Sequence, residues 1–191
     1  MIFLATKSHV SNRGVPPDSF LEQLVLWGKS APEEIFAVND EPDDVYNLIR
    51  PDLGPWESIL HRRAAMLETM RVLGGFESSW NWNEGHDTTN PSEDNPETMS
   101  AGLWQISWNS RNFGQDLKDL AAKHGVHDGV KFQEVTKSNH PFAMEYAVRL
   151  FRRTTQHNGP LKLHEVNPWL NRDAVEEFQA LLVELPAAPL A

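Results

Sequence analysis

The sequence predicts an α+β fold that is mainly α, a helical domain with a small hairpin or long loop. Three observations lead there. After Pro55, the residues Trp56, Leu60, Ala64, Leu67, Met70 and Leu73 recur at helical spacing and give a long helix one apolar face. Two more amphipathic segments close the chain. Residues 81–100 are rich in Asn, Asp, Thr, Gly and Pro and almost free of aliphatic side chains, so they read as a long surface excursion.

In chain order, Pro16, Pro17, Pro32, Pro42, Pro51 and Pro55 leave the first part room only for short helices. Phe20, Leu21, Leu24, Val25 and Trp27 form an amphipathic piece, and a second piece is expected from Pro42 through Ile49. Residues 1–50 are therefore expected to be a helical extension packed on a domain spanning 51–191. Gly74 and Gly75 weaken the long helix, which places Phe76, Glu77, Ser78, Ser79 and Trp80 at or near its C-terminal end. Apolar character returns at Ala101 to Ile106, Gln115 to Lys123 reads as a helix, and Gly125 to Asn139 as mixed loop. Phe142, Tyr146, Ala147, Leu150 and Phe151 mark the next helix. The last is expected to start with Asn167 as N-cap and Pro168 at its first position.

Charge and composition exclude several functions. With no cysteine, disulfides, thiolate metal sites and cysteine nucleophiles are all ruled out. Seventeen Lys and Arg against twenty-seven Asp and Glu give a net charge of −10, which repels phosphate backbones and anionic lipid. Nucleic acid is not an expected partner. The same charge mildly disfavours an anionic polymer such as peptidoglycan and favours a cationic one such as chitosan. The N-terminus lacks a basic leader, and no apolar run approaches about 18 residues, so synthesis in the cytoplasm without a signal peptide and no membrane insertion are expected. A substrate outside the cell would then require a delivery or release route.

Chemistry concentrates around residue 77. Cleaving a glycoside needs a carboxylic acid still protonated near neutral pH, hence a site that penalises its anion. Glu77 follows Phe76, lies near Trp80 and Trp82, and ends an apolar helix whose last carbonyls are partially negative. Sugars also need flat apolar surfaces together with amides and hydroxyls. Trp80, Trp82, Trp104 and Trp108 are four of the chain's seven tryptophans, and Gln105, Ser107 and Asn109 lie among them. Each has a plainer reading. Indoles fill cores, Gln105 can satisfy buried backbone, and His157-Asn158-Gly159-Pro160 can simply stop a helix. His86, Asp87, His124 and His127 show no recognised zinc spacing, so neither metal nor other cofactor is expected.

Glu77-Ser78-Ser79, followed by Ala101-Gly102-Leu103-Trp104-Gln105-Ile106-Ser107, resembles the lysozyme-like superfamily, especially lytic transglycosylases and goose-type lysozymes. Those families carry a Glu-Ser pair at a helix end and then a Gly-Leu-Met-Gln stretch; Trp104 stands in place of the methionine. Gln156-His157-Asn158-Gly159-Pro160 is similar to the Tyr-Asn-Ala-Gly-Pro segment of lytic transglycosylases, without the tyrosine. The resemblance implies a lysozyme-like domain that cuts β-1,4 aminosugar bonds at the cell wall. Glu77 would be its acid and Asp87 the leading second carboxylate, ahead of Glu84, Glu93 and Asp94. Substrate would meet Ser78, Trp80, Trp82, Gly102, Leu103, Trp104, Gln105, Ser107, His157 and Asn158. Peptidoglycan is the first substrate and chitin or chitosan the second, and a delivery or inhibitor protein is a candidate partner. An inverting hydrolase would hold its two carboxyl groups roughly 6.5–9.5 Å apart, whereas attack by the sugar's own 6-hydroxyl would need no second carboxylate. The rival readings are a chitosanase or chitinase, and a lysozyme-like scaffold that binds glycan or protein without cutting.

Overall fold

A computed structural model describes residues 1–86, 88 and 95–184. It is mainly helical: α1 (Asp18–Ser30), α2 (Val45–Leu53), α3 (Ile59–Ser78), α4 (Gln115–Lys123), α5 (Gly129–Ser138), α6 (His140–Arg153), α7 (Gly159–Lys162) and α8 (Arg172–Glu184). Strands β1 (Ser100–Ala101) and β2 (Ile106–Ser107) pair antiparallel, Ser100 opposite Ser107 and Ala101 opposite Ile106. Among the described residues, no helix is long and apolar enough to cross a membrane.

The central element is α3. The Ser58 hydroxyl accepts from the His61 amide and starts it, and Ser79, in the left-handed region at φ 52°, ends it. The spacing predicted a single apolar face, yet Ala64, Ala65, Met66, Leu67, Met70, Val72 and Leu73 are all buried, as are Glu68 and Arg71. Such a helix is packed on every side. It lies against α8, α1 and α2, and its C-terminal end meets α7.

Gly74 and Gly75 do not interrupt the helix. A Cβ at Gly74 would stand 2.5 Å from Leu103 Cδ2, and one at Gly75 2.8 Å from Trp80 Cζ2. The pair is a notch into which the hairpin and the returning indole fit.

Three expectations need correction. Residues 125–139 are not mixed loop, because Asp128 accepts from the Lys131 amide at 2.8 Å and caps α5, which buries Phe132 and Val135. The last helix begins at Arg172, since Asn167–Trp169 forms only a 3₁₀ turn. Residues 157–160 do not stop a helix but start one, with Asn158 as the N-cap of α7. Across the boundary expected at residue 50, Phe3, Val10, Phe20, Leu24, Phe36 and Ile49 share one apolar cluster with α3, α6 and α8. Arg152 on α6 reinforces the join, pairing with Asp44 at 2.9 Å and donating to the Ile35 and Ala37 carbonyls.

Candidate functional site

Three separate stretches of chain meet at the C-terminal end of α3. Ser78 Oγ donates to the Leu103 carbonyl at 2.9 Å and accepts from the Asn81 amide at 3.1 Å, fastening the helix end to the β1–β2 turn. That turn is tight. Gly102 sits at φ 68° and Gln105 at φ 47°, the Gly102 N–H donates to the Glu84 carbonyl, and a Cβ on Gly102 would lie 2.9 Å from Thr136 Cγ2. The third stretch arrives through Asn158, whose Nδ2 donates to Glu77 Oε1 at 2.6 Å.

The orientation of that amide is fixed independently of Glu77. Asn158 Oδ1 accepts from the Leu161 N–H at 3.1 Å as the cap of α7, which turns Nδ2 toward the carboxyl group. Glu77 itself is half-buried. The C-terminal end of the helix dipole places partial negative charge near it, whereas the amide donor favours its anion. A second polar chain joins the hairpin to the residue before Asn158: Ser107 Oγ donates to Asn109 Oδ1 at 2.7 Å and lies 3.3 Å from His157 Nε2. Burial holds the His157 imidazole below its ordinary value, so the ring favours its neutral form.

The tryptophans differ from expectation. Trp80, Trp104 and Trp108 are core side chains. Trp80 Nε1 donates to the Arg71 carbonyl at 2.8 Å and Trp104 Nε1 to the Met70 carbonyl at 3.0 Å, so both indoles are locked against α3 and offer no face to a sugar. Leu103 is likewise fully buried. Only Trp82, among the described members of the set, is half-exposed. One of its faces stacks on His140, with ring centroids 3.8 Å apart, and its edge meets Trp104.

The remaining polar candidates are engaged with the protein. Gln105 Nε2 donates to the Gly102 carbonyl at 2.9 Å, its plainer role, and Ser78 serves the helix end. Asn158 reaches Glu77 rather than an open surface. Asp87, Glu93 and Asp94 lie outside the described residues, while Glu84 Oε2 accepts from Asn81 Nδ2 at 2.9 Å. Among the described residues no group of three or more His, Asp or Glu could hold a metal ion.

Sequence reasoning missed two features: the direct Asn158–Glu77 contact and the His140 stack on Trp82. The first had a legible signal, because Asn-Gly-Pro is a good helix start and an N-cap carries its side chain inward. For the second, 58 positions separate the two rings and nothing local couples them. The geometry provides a half-buried carboxyl group with a fixed amide donor and, one residue before that donor in the chain, a neutral imidazole near a serine hydroxyl. No model of a known family, no curated protein and no solved structure matches this chain.

Proposed function

We propose that the protein cleaves glycan chains at β-1,4 bonds between aminosugars, with Glu77 as general acid and peptidoglycan as the first substrate. The observation that supports this most strongly is the convergence of the Glu77-Ser78 helix end, the Gly102-to-Ser107 hairpin and the Asn158-Gly159-Pro160 segment. These stretches are far apart in sequence, yet the Ser78–Leu103 and Asn158–Glu77 hydrogen bonds join them. They are also the stretches whose residues resemble lytic transglycosylases and goose-type lysozymes. In this reading the fold is lysozyme-like, with α3 as its buried central helix and the hairpin flanking the reaction site.

Glu77 would protonate the oxygen of the departing sugar as the bond breaks through an oxocarbenium-like transition state. Either a water activated by Asp87 or the sugar's own 6-hydroxyl then closes the reaction. Action at the cell wall goes with this reading, and so does a route that brings the protein there.

The burial of Trp80, Trp104 and Trp108 favours a second reading, a lysozyme-like scaffold that binds without cutting, because the expected row of stacking indoles is missing. Digestion of purified peptidoglycan by wild type and Glu77→Gln separates the two, with the fragments read by mass spectrometry. Wild type should release muropeptides and the variant about 100-fold fewer or less. Anhydro ends would mark transglycosylase chemistry, and reducing ends hydrolysis. Equal release by both proteins removes Glu77 from the mechanism. Turnover of chitosan oligomers alone moves the substrate class, and inertness of the folded wild type on both polymers supports the binder.

A further inference from the structure

We propose that Phe113 is the apolar platform of a sugar-binding subsite next to the Glu77 site, its ligand the pyranose ring of a β-1,4 aminosugar chain. This rests on the glycan reading of the site. A sugar ring presents a face of C–H groups and an edge of hydroxyl and acetamido groups, so a subsite needs a flat apolar surface beside polar atoms. Trp80, Trp104 and Trp108 are buried and cannot supply that surface, and one face of Trp82 is covered by His140. Among the described residues, Phe113 is the one aromatic side chain counted with the exposed large hydrophobics, at 47% exposure.

A single exposed phenylalanine carries no meaning by itself. Its neighbours supply the meaning. Phe113 ends the 3₁₀ turn Trp108–Phe113, which follows β2 directly, and its ring contacts the His157 imidazole, with centroids 5.2 Å apart and planes inclined by 59°. His157 precedes Asn158, the residue that donates to Glu77, and the same imidazole meets Ser107 of the hairpin. Phe113 is thereby tied, through one ring contact, to both stretches of chain that meet the end of α3. A glycan with one bond at Glu77 carries further sugars on either side, and these require surfaces of their own.

Polar atoms lie on the same contacts. Ser107 Oγ has one hydrogen, which goes to Asn109 Oδ1, so His157 Nε2 must be the donor in its contact with the serine. In the neutral ring Nδ1 is then the acceptor end, suited to a sugar hydroxyl, and the Nδ2 end of Asn109 is suited to an acetamido carbonyl.

The test is binding without turnover. Calorimetric titration with a β-1,4-linked N-acetylglucosamine pentamer is carried out on Glu77→Gln, and on the same protein with Phe113→Ala, Phe113→Leu or Phe113→Trp. Phe113→Ala should weaken binding about tenfold, and Phe113→Leu, which keeps apolar area without a flat face, by nearly as much. Phe113→Trp should bind within about threefold of its parent. An unchanged Kd in Phe113→Ala overturns the proposal, and so does a leucine variant that binds as well as the tryptophan one. A lower Tm in Phe113→Ala with an unchanged Kd reduces the ring to a packing role and overturns it too. Should the alanine variant fail to fold, the comparison of leucine with tryptophan decides.

Failure of the subsite and failure of the glycan-cutting assignment remain separable. Phe113-dependent binding by a protein that cuts neither polymer would defeat Glu77 as the acid and keep the subsite. Peptidoglycan digestion abolished by Glu77→Gln, with no binding of the pentamer or with binding indifferent to Phe113, would keep the acid and overturn the subsite.

Discussion

Gly74 shows how much of the site depends on an atom that is not there. Its Cα faces Leu103 so closely that a methyl group would push the hairpin away from the helix end, or force the helix to bend. Gly74→Ala should therefore cost about 1–3 kcal/mol in a urea unfolding experiment, despite alanine's better helix propensity. It should also lower any activity that Glu77 supports, since Leu103 and Ser78 would part. A neutral or stabilising result would mean that the notch is not tight. From the sequence alone, Gly74 and Gly75 read as a weak point in a helix. Intrinsic propensity could not reveal that a side chain 29 positions later fills the space. The place of Glu77 at the end of a long helix was legible, because the apolar run before it lies in a short window.

The helices were legible for a similar reason, and α5 was missed for the opposite one. The apolar residues of α3 and α6 repeat over several turns, whereas α5 has only Val130, Phe132 and Val135 in ten residues, the first of them exposed. Its Asp128 cap was the available sign. The tryptophan cluster was visible as a concentration but not as an orientation: the hydrogen bonds to Arg71 and Met70 carbonyls that turn Trp80 and Trp104 inward come from α3, not from their own neighbourhood. Two imidazoles join elements to one another, His140 at the start of α6 and His157 before α7. Burial lowers both from the ordinary 6.5. A histidine held neutral in the fold but free to charge when unfolded supports stability above about pH 6.5, and that support drains away as pH falls through 6.5 toward the folded values. The urea midpoint should thus decline from pH 7 to pH 5. His140→Gln and His157→Gln should each flatten the decline relative to wild type, and unaltered slopes in both would show that neither ring titrates with folding.

Across the whole molecule, buried arginines join segments within the apolar interior. Glu68 and Arg71 are both fully buried and bonded through two contacts of 2.7 Å. Glu68 also accepts from the Asn171 amide at 2.9 Å, and Arg71 donates to the Ser8 carbonyl at 3.0 Å, so one ion pair on α3 ties the first residues of the chain to the approach of α8. Removing one partner leaves the other charge stranded, and Arg71→Met should cost about 3–5 kcal/mol. The double variant with Glu68→Leu should regain much of that loss, as measured by chemical denaturation. If the single change were harmless, the pair would have no part in the fold. A periodicity reading places Glu68 and Arg71 on a helix but says nothing of which faces are covered, which is why their burial went unseen. The clasp at the far edge of the molecule shares this logic. The Leu4 and Thr6 amides both donate to the Glu177 carboxylate of α8, at 2.6 and 2.7 Å. Lys7 therefore lies on a strap that an acidic hook buckles just before it, and Glu177→Ala should turn the peptide bond after Lys7 into an earlier site of tryptic nicking.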